Sequence, residues 1–171
     1  MKLRWWYGIA VNLILAVLVV TGTAVYTVHS RNKNQFLEIR DTTSGKLYGK
    51  WPFKEANEFA VEFIHSVHQS PVRENFKIED KMIQPITVRF SSFGEGMQSE
   101  LEEGQTLSRD GDDLLISGFG SSFRELNYIV GTVSDHVLFI NGDTVSLQEI
   151  CGKNAHITIR TGGKINERAR K

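Results

Sequence analysis

The chain has 171 residues, a length that fits one ordinary domain together with a short N-terminal segment. All 20 acidic residues follow position 37, whereas four of the 20 basic ones precede position 34, so the part beyond the N-terminal segment carries a net charge of about −4. That charge excludes a nucleic-acid-binding surface, and the single cysteine, Cys151, excludes an internal disulfide and a CxxC redox pair.

An apolar segment lies near the N-terminus. Residues 7–28 contain no charged side chain, and as a helix rising about 1.5 Å per residue they reach about 33 Å, enough to cross the core of a bilayer. Trp5 lies just before this segment, at the level of the lipid headgroups, where aromatic side chains are favoured. Lys2 and Arg4 indicate that the N-terminus is inside. The sequence therefore predicts one N-terminal transmembrane helix within an anchor of residues 1–29.

The same segment also admits a cleaved signal peptide. Gly22, Thr23 and Ala24 are small enough for a signal peptidase. The apolar run continues past Ala24 and exceeds a usual signal core, which favours a single-pass anchor in the cytoplasmic membrane. In either case we expect the remainder on the extracytoplasmic side, joined through a polar linker at residues 30–35 and ending in a basic tail at residues 163–171.

A β-domain is predicted for residues 36–162. β-Branched and aromatic residues recur there in short runs separated by turn residues, the pattern of an all-β, antiparallel β-sandwich or barrel-like domain. Asn141-Gly142 predicts a two-residue hairpin turn, and the Gly- and Ser-rich residues 117–123 predict a loop between strands. Helical turns are indicated at two places, residues 53–60 and 146–151. The predicted strands are residues 36–41, 46–53, 59–67, 72–79, 86–93, 113–119, 125–133, 136–140, 144–148 and 156–161.

A β-hairpin is predicted for residues 59–79. We place its loop at residues 68–71, because proline cannot donate a hydrogen bond to the ladder and marks the end of a loop. The opposed residues in this register are Phe63 and Phe76 on the buried face, and Glu62 and Lys77 on the outward face.

This register sets His65 opposite Glu74 on the buried face. A carboxylate in an apolar layer is costly unless it is paired, and an imidazole can donate a hydrogen bond to it. Two interpretations remain open, a structural clasp that holds the hairpin register or a pair presented to a ligand at the hairpin end. Ser66 faces away from His65 on a strand, which argues against a catalytic dyad, and the spacing of His65 and His68 argues against a shared metal.

Two sequence motifs resemble those of a known bacterial family. The first reads "HSVxxxPVxE" and is followed by "FSSFGEGM", and the second is "SDHVLFINGDTVSL". In these motifs, and over roughly residues 36–160, the chain resembles the family called domain of unknown function 1850. The matching residues are His65, Ser66, Val67, Pro71, Val72 and Glu74 in the first motif, and Asp135, His136, Leu138, Gly142, Val145 and Leu147 in the second.

The resemblance implies a small, exported or membrane-anchored protein that is accessory to solute uptake. Family members are often encoded beside, or fused to, membrane subunits of tripartite ATP-independent periplasmic (TRAP) transporters, particularly those with TAXI-type solute-binding proteins, and no enzymatic activity is established for them. The expected partners are therefore a TRAP membrane subunit or its solute-binding protein, and we expect no cofactor and no catalytic residue. The expected ligand- or partner-binding residues are His65, Ser66, Pro71, Glu74, Gly94, Gly96, Asp135 and His136.

Two other functions stay open. One is a small-solute-binding domain that uses the end of the sheet where His65 and Glu74 lie. The other is a metal-dependent hydrolase in which Asp135 and His136 join those two residues around a metal, although their spacing follows no known zinc signature and we expect no metal.

Overall fold

A computed structural model describes residues 35–53, 57–66, 69–91 and 101–162 of the chain. The predicted membrane anchor, most of the polar linker and the basic tail lie outside these residues, and so do Gly94 and Gly96. No helix in the described part is long and apolar enough to cross a membrane. The described residues therefore belong to the predicted β-domain.

Eleven strands and one short helix form within the described residues. They are β1 (Phe36–Asp41), β2 (Leu47–Pro52), β3 (Glu58–Ile64), β4 (Pro71–Glu79), β5 (Met82–Phe90), β6 (Thr106–Asp110), β7 (Asp113–Ser117), β8 (Glu125–Ile129), β9 (His136–Ile140), β10 (Asp143–Ser146), α1 (Leu147–Cys151) and β11 (His156–Gly162). Alternation of side chains directs one face of each long strand inward, as in β4, where Val72, Phe76 and Ile78 are buried.

These strands build two sheets. The smaller sheet has the strand order β2-β1-β11-β8, and the larger sheet has the order β10-β9-β3-β4-β5-β7-β6. Every pair of hydrogen-bonded strands in the described part is antiparallel. The predicted all-β, antiparallel fold is confirmed.

One hydrophobic core joins the two sheets. Leu37 and Ile39 of the smaller sheet are fully buried and cluster with Val61 and Leu138 of the larger sheet, which are also fully buried. Burying each such side chain contributes about 1.5–3 kcal/mol. The sheets therefore face each other across a shared core, which is the arrangement of a β-sandwich.

A second, smaller cluster lies on the larger sheet alone. Its buried members are Val72 of β4, Phe90 of β5, and Leu114 and Ile116 of β7. The partly buried side chains that contact it, Phe63, Val88 and Phe119, come from β3, β5 and the loop after β7. The larger sheet thus extends beyond the edge of the smaller one, and this extension forms one wall of the cleft described below.

Two tight turns connect neighbouring strands of the larger sheet. Asn141 and Gly142 join β9 to β10 with φ of +56° and +85°, which confirms the predicted two-residue hairpin turn. Asp80 and Lys81 join β4 to β5 in the same way, with φ of +49° and +66°, although their sequence contains neither Gly nor Asn.

The predicted helical turn at residues 146–151 is confirmed as α1. Ser146 is the N-cap, and its hydroxyl accepts a hydrogen bond of 3.1 Å from the Glu149 amide; Gly152 ends the helix with φ of +93°. The other predicted helical turn, at residues 53–60, is wrong from Glu58 onward, because β3 begins there. Residues 54–56 lie outside the described part.

The β3–β4 hairpin forms, but its register differs from the predicted one by four residues. Phe63 lies opposite Val72 instead of Phe76, and Glu74 lies opposite Val61 instead of His65. Because the shift is an even number, each side chain keeps its predicted face, so Val61 and Phe76 are buried as expected. The prediction that His65 and Glu74 are directly opposed is wrong.

The position of Pro71 explains the shift. The loop closes through hydrogen bonds from the His65 amide to the Ser70 carbonyl and from the Gln69 amide to the His65 carbonyl, each 2.9 Å. Hydrogen-bonded and non-hydrogen-bonded residue pairs alternate along an antiparallel ladder. The next pair, Ile64 with Pro71, is a non-hydrogen-bonded pair, so the missing N–H of proline costs no ladder hydrogen bond. Pro71 is therefore the first residue of β4 and not the last residue of the loop.

The same shift changes the outward pair. Glu62 lies opposite Arg73 instead of Lys77, and the Glu62 carboxylate is 3.6 Å from the Arg73 guanidinium. Lys77 instead pairs with Glu79 at 2.9 Å.

Candidate functional site

A cleft of about 680 Å³ lies between β8 and the extension of the larger sheet. Leu126, Asn127 and Tyr128 of β8 line one side. The other side is lined by residues of β3, β4, β5 and β7 together with Phe119, Ser121 and Phe123 from the loop that follows β7. The unequal width of the two sheets leaves this space open, because no strand among the described residues pairs with β8 on its outer side.

The polar centre of the cleft is the pair Glu74 and Tyr128. Glu74 is on β4 between the buried residues Val72 and Phe76, so strand alternation directs it toward the interior. The Tyr128 hydroxyl, on β8 of the other sheet, donates a hydrogen bond of 2.6 Å to Glu74 Oε2. One hydrogen bond thus connects the two sheets at the cleft.

Burial shapes the acidity of both groups. It raises the pKa of the Glu74 carboxyl above its ordinary value of 4.5, against the smaller opposing effect of the Tyr128 hydrogen bond. Burial, together with the adjacent carboxylate, holds the pKa of Tyr128 well above 10. Tyr128 therefore remains a hydrogen-bond donor, and Glu74 titrates nearer to neutrality than an exposed glutamate.

The cleft has acidic groups and aromatic walls. Its described lining includes two carboxylates, Glu74 and Glu102, and contains no Lys or Arg. No Lys, Arg or His among the described residues forms an ion pair with Glu74. The aromatic members of the lining are Phe63, Phe76, Phe90, Phe119, Phe123 and Tyr128.

Phe123 is held at the rim of the cleft by backbone pairing. The Ile83 amide donates to the Phe123 carbonyl at 2.7 Å, and the Phe123 amide donates to the Ile83 carbonyl at 2.8 Å. These two bonds attach the loop after β7 to the beginning of β5. The loop predicted at residues 117–123 is confirmed from Gly118 onward, since β7 ends at Ser117.

A second cleft of about 440 Å³ lies at the hairpin end. His65, Ser66 and Gln69 line it from the hairpin, and residues 131–134 with His136 line it from the β8–β9 connection. His65 also lines the first cleft, so it stands between the two.

His136 is oriented by its neighbours. Its Nδ1 accepts a hydrogen bond of 3.1 Å from the Gly131 amide, so the proton of the neutral ring is on Nε2. The ring stacks on Phe63 at a centroid distance of 5.1 Å and meets the Tyr128 ring edge-on at 6.0 Å. Burial lowers the pKa of His136 from 6.5, and this effect outweighs the opposing effect of the Asp135 charge. The lowered pKa keeps the ring neutral near pH 7.

Asp135 is not among the residues that line either cleft. Its Oδ1 accepts a hydrogen bond of 2.8 Å from the Gln148 amide in the first turn of α1, and the Gln148 side chain donates to the Gly131 carbonyl at 2.8 Å. Asp135 thus satisfies an N-terminal amide of the helix.

The eight residues predicted to bind a ligand or partner are therefore distributed over several places. Glu74 lines the first cleft, Ser66 and His136 line the second, and His65 lines both. Pro71 begins β4, Asp135 contacts α1, and Gly94 and Gly96 lie outside the described residues. Their role in binding stays a prediction.

The four residues of the metal-hydrolase alternative do not form one cluster. Within the described part, no group of three or more His, Cys, Asp and Glu side chains is arranged to hold a metal ion. His65 and His136 share the second cleft, but Glu74 faces the first and Asp135 faces α1.

Tyr128 is the site residue that sequence reasoning missed. Leu126, Tyr128 and Val130 alternate with the exposed residues Glu125, Asn127 and Ile129. This period of two already indicates an inward Tyr128, whose buried hydroxyl requires a partner. The identity of that partner depends on how the two sheets stack.

Comparison with known proteins gives one match. The family model described as Domain of unknown function (DUF1850) matches residues 59–147, about half of the chain. The matched segment begins in β3 and ends at the start of α1, so it contains Glu74, Tyr128, His65 and His136. No curated protein and no solved structure matches the chain.

Proposed function

The chain belongs to the family described as Domain of unknown function (DUF1850), and from that premise we propose that it is a small-solute-binding domain. In this proposal the domain performs no catalysis. It works outside the cytoplasmic membrane as an accessory of a TRAP solute transporter of the TAXI type.

The cleft that contains Glu74 carries the proposal of solute binding. Its volume of about 680 Å³ falls within the range of small-molecule sites, about 300–1,000 Å³. Such sites combine mainly apolar walls with a few polar groups that orient the ligand. The aromatic lining supplies the walls, and Glu74 with Tyr128 supplies a polar group that a solute can reach.

Tyr128 and Glu74 support binding over catalysis. Tyr128 keeps its proton, so it does not act as a general base near pH 7. The phenol that donates to Glu74 is a weak nucleophile, because its raised pKa keeps it protonated. The pair is arranged to orient a bound group.

The transporter association is supported by the resemblance and by the N-terminal sequence. The family's frequent occurrence beside TRAP membrane subunits suggests a partner in the same membrane, either that subunit or its solute-binding protein. The uncharged residues 7–28 provide the anchor in this proposal, and they lie outside the described structure.

A solute screen with a blocked cleft tests the binding function. The full chain in lipid nanodiscs is screened against small organic solutes by saturation-transfer NMR and thermal shift. Ser121→Trp places a large ring in the cleft lining. Ser122→Trp is the control, because it places the same ring at an exposed position of the same loop outside the lining. We expect solutes that bind the wild type and Ser122→Trp but not Ser121→Trp.

The opposite result has two forms. If no solute binds, or if every solute binds Ser121→Trp as well as the wild type, the cleft is not a solute site.

The transporter association has its own test, in which photo-crosslinking in intact cells captures a TRAP membrane subunit or its solute-binding protein. Crosslinks only to unrelated membrane proteins would contradict that part of the proposal.

A further inference from the structure

The charge of the cleft restricts which solutes it can hold. Glu74 and Glu102 are the carboxylates of its described lining, which has no Lys or Arg. A solute carrying a carboxylate or phosphate would meet two acidic groups and no Lys or Arg of the described lining, which disfavours anions.

Glu74 has hydrogen-bonding capacity that the described residues leave unused. A carboxylate accepts about four hydrogen bonds, and Tyr128 supplies one, at Oε2. No described residue donates a hydrogen bond to Oε1, although Glu74 lines the cleft. A neutral donor such as the phenol offsets only part of the cost of placing a negative charge in an apolar layer, so a cation beside Glu74 would stabilise it further.

The aromatic walls suit the same kind of ligand. A cation close to the face of an aromatic ring is attracted by the ring's quadrupole. This chain already uses the interaction at its surface, where Lys50 Nζ lies 3.5 Å from the centroid of the Phe36 ring and the Arg73 guanidinium lies 4.1 Å from that of Phe139. In the cleft the rings are present, whereas the described lining contributes no Lys or Arg.

We propose that the cleft binds small organic ammonium ions, with the charged nitrogen held by Glu74 and the apolar part of the solute against the aromatic walls. This inference rests on the proposed function and names the class of its solute. A primary or secondary ammonium donates a hydrogen bond to Oε1 while Tyr128 retains its bond to Oε2. A neutral aromatic solute makes the wall contacts but leaves the charge of Glu74 uncompensated.

Three probes that share a phenethyl group test the assignment. Phenethylammonium is the cation, phenethyl alcohol is its neutral counterpart, and hydrocinnamate carries a carboxylate at the same end. Titrations of the full chain in nanodiscs are followed by calorimetry and NMR. We expect the ammonium to bind about tenfold or more tightly than the alcohol, and hydrocinnamate to bind most weakly.

A charge-removing variant identifies the group responsible. Glu74→Gln keeps an oxygen that accepts the Tyr128 hydrogen bond but removes the charge, and it should reduce the preference for ammonium over alcohol by about tenfold. Glu79→Gln, an exposed substitution at the end of the same strand, should leave the preference unchanged. The preference within the wild type needs no variant, so the test stands even if Glu74→Gln folds poorly.

The outcomes separate this inference from the proposed function. Equal affinities for ammonium and alcohol, or tighter binding of hydrocinnamate, would overturn the ammonium assignment while the cleft remained a solute site. The ammonium assignment would also be overturned by a screened solute that is not an ammonium ion and that binds the wild type but not Ser121→Trp. If neither the probes nor any screened solute binds, both ideas fail.

Discussion

Tyr128 of the smaller sheet donates a hydrogen bond of 2.6 Å to Glu74 of the larger sheet, across 54 positions of sequence. Neither side chain belongs to a described ion pair. This bond therefore satisfies a carboxylate that burial disfavours, and it does so at the edge where the two sheets diverge into the cleft.

Removal of the Tyr128 hydroxyl should destabilise the domain. In Tyr128→Phe the Glu74 carboxylate loses its donor and remains in an apolar layer, for which we expect a loss of about 1–3 kcal/mol in the free energy of unfolding. Denaturant titrations of Tyr128→Phe, Glu74→Ala and the double variant measure it, because alanine removes the acceptor oxygens completely. The double variant should be more stable than the sum of the single losses predicts, and strict additivity would show that the bond is not formed in solution.

The stability contribution of Glu74 should fall as pH rises. Because burial raises its pKa in the folded state, the native protein binds this proton more tightly than the unfolded chain does. The resulting stabilisation is complete below the ordinary value of 4.5 and is lost as pH rises through the raised pKa. We expect the wild type to lose stability relative to Glu74→Gln over this interval, as measured by unfolding titrations at several pH values. A constant difference would contradict the raised pKa.

Asp41 should show the opposite dependence. The Ser44 amide donates to its carboxylate at 2.7 Å and the Ser44 hydroxyl at 2.8 Å, and these bonds, with further help from Tyr48 and Thr43, lower the pKa of Asp41 to about 2. A carboxyl with a lowered pKa stabilises the fold above its ordinary value of 3.8, and the effect disappears as pH falls toward 2. The wild type should therefore lose its advantage over Asp41→Asn in acid. Equal acid sensitivity of the two proteins would argue against this turn.

A double-mutant cycle can check the hairpin register. Glu62 and Arg73 are directly opposed and partly exposed, so their coupling should be favourable but no more than about 1 kcal/mol. Glu62 and Lys77, the pair of the predicted register, should show no coupling. Alanine variants of the three residues provide both cycles in the same denaturant titration. Coupling to Lys77 in place of Arg73 would restore the register predicted from sequence.

The location of the domain can be tested in protoplasts. Since residues 7–28 predict an anchor with its N-terminus inside, external protease should digest the β-domain in intact protoplasts. A cytoplasmic protein detected in the same sample controls for lysis. Complete protection before lysis, followed by digestion after it, would place the domain on the cytoplasmic side.

Most strands were predicted within a few residues, although β5 begins at Met82, four residues before the predicted start at Ile86. The bounds predicted for β1 and β9 agree with the structure, because both strands are short runs with apolar and β-branched residues and with turn residues beside them. β6 was not predicted, since all five of its residues are exposed and no apolar alternation distinguishes it from a loop. It forms through pairing with β7 and through ion pairing of Asp110 with Arg89 on β5.

The candidate site was predictable only in part, for a related reason. Alternation along β3 and β4 shows which face each residue occupies, and it correctly placed Glu74 on the inward face. Alternation does not distinguish registers that differ by an even number, so the partner assigned to Glu74 was wrong. Tyr128 became its partner through the stacking of two sheets, which local sequence does not encode.

Because the two sheets differ in width, the residues that hold the sheets together are not the residues that border the cleft. Leu37, Val61 and Leu138 hold the sheets together, whereas Ser121 and Phe119 border the open space without belonging to that inter-sheet core. Substitutions at the border can alter the size and polarity of the cavity at little cost to folding. A scaffold of this kind can diversify in what it recognises while its architecture persists, so relatives with the same two sheets need not accept the same molecule.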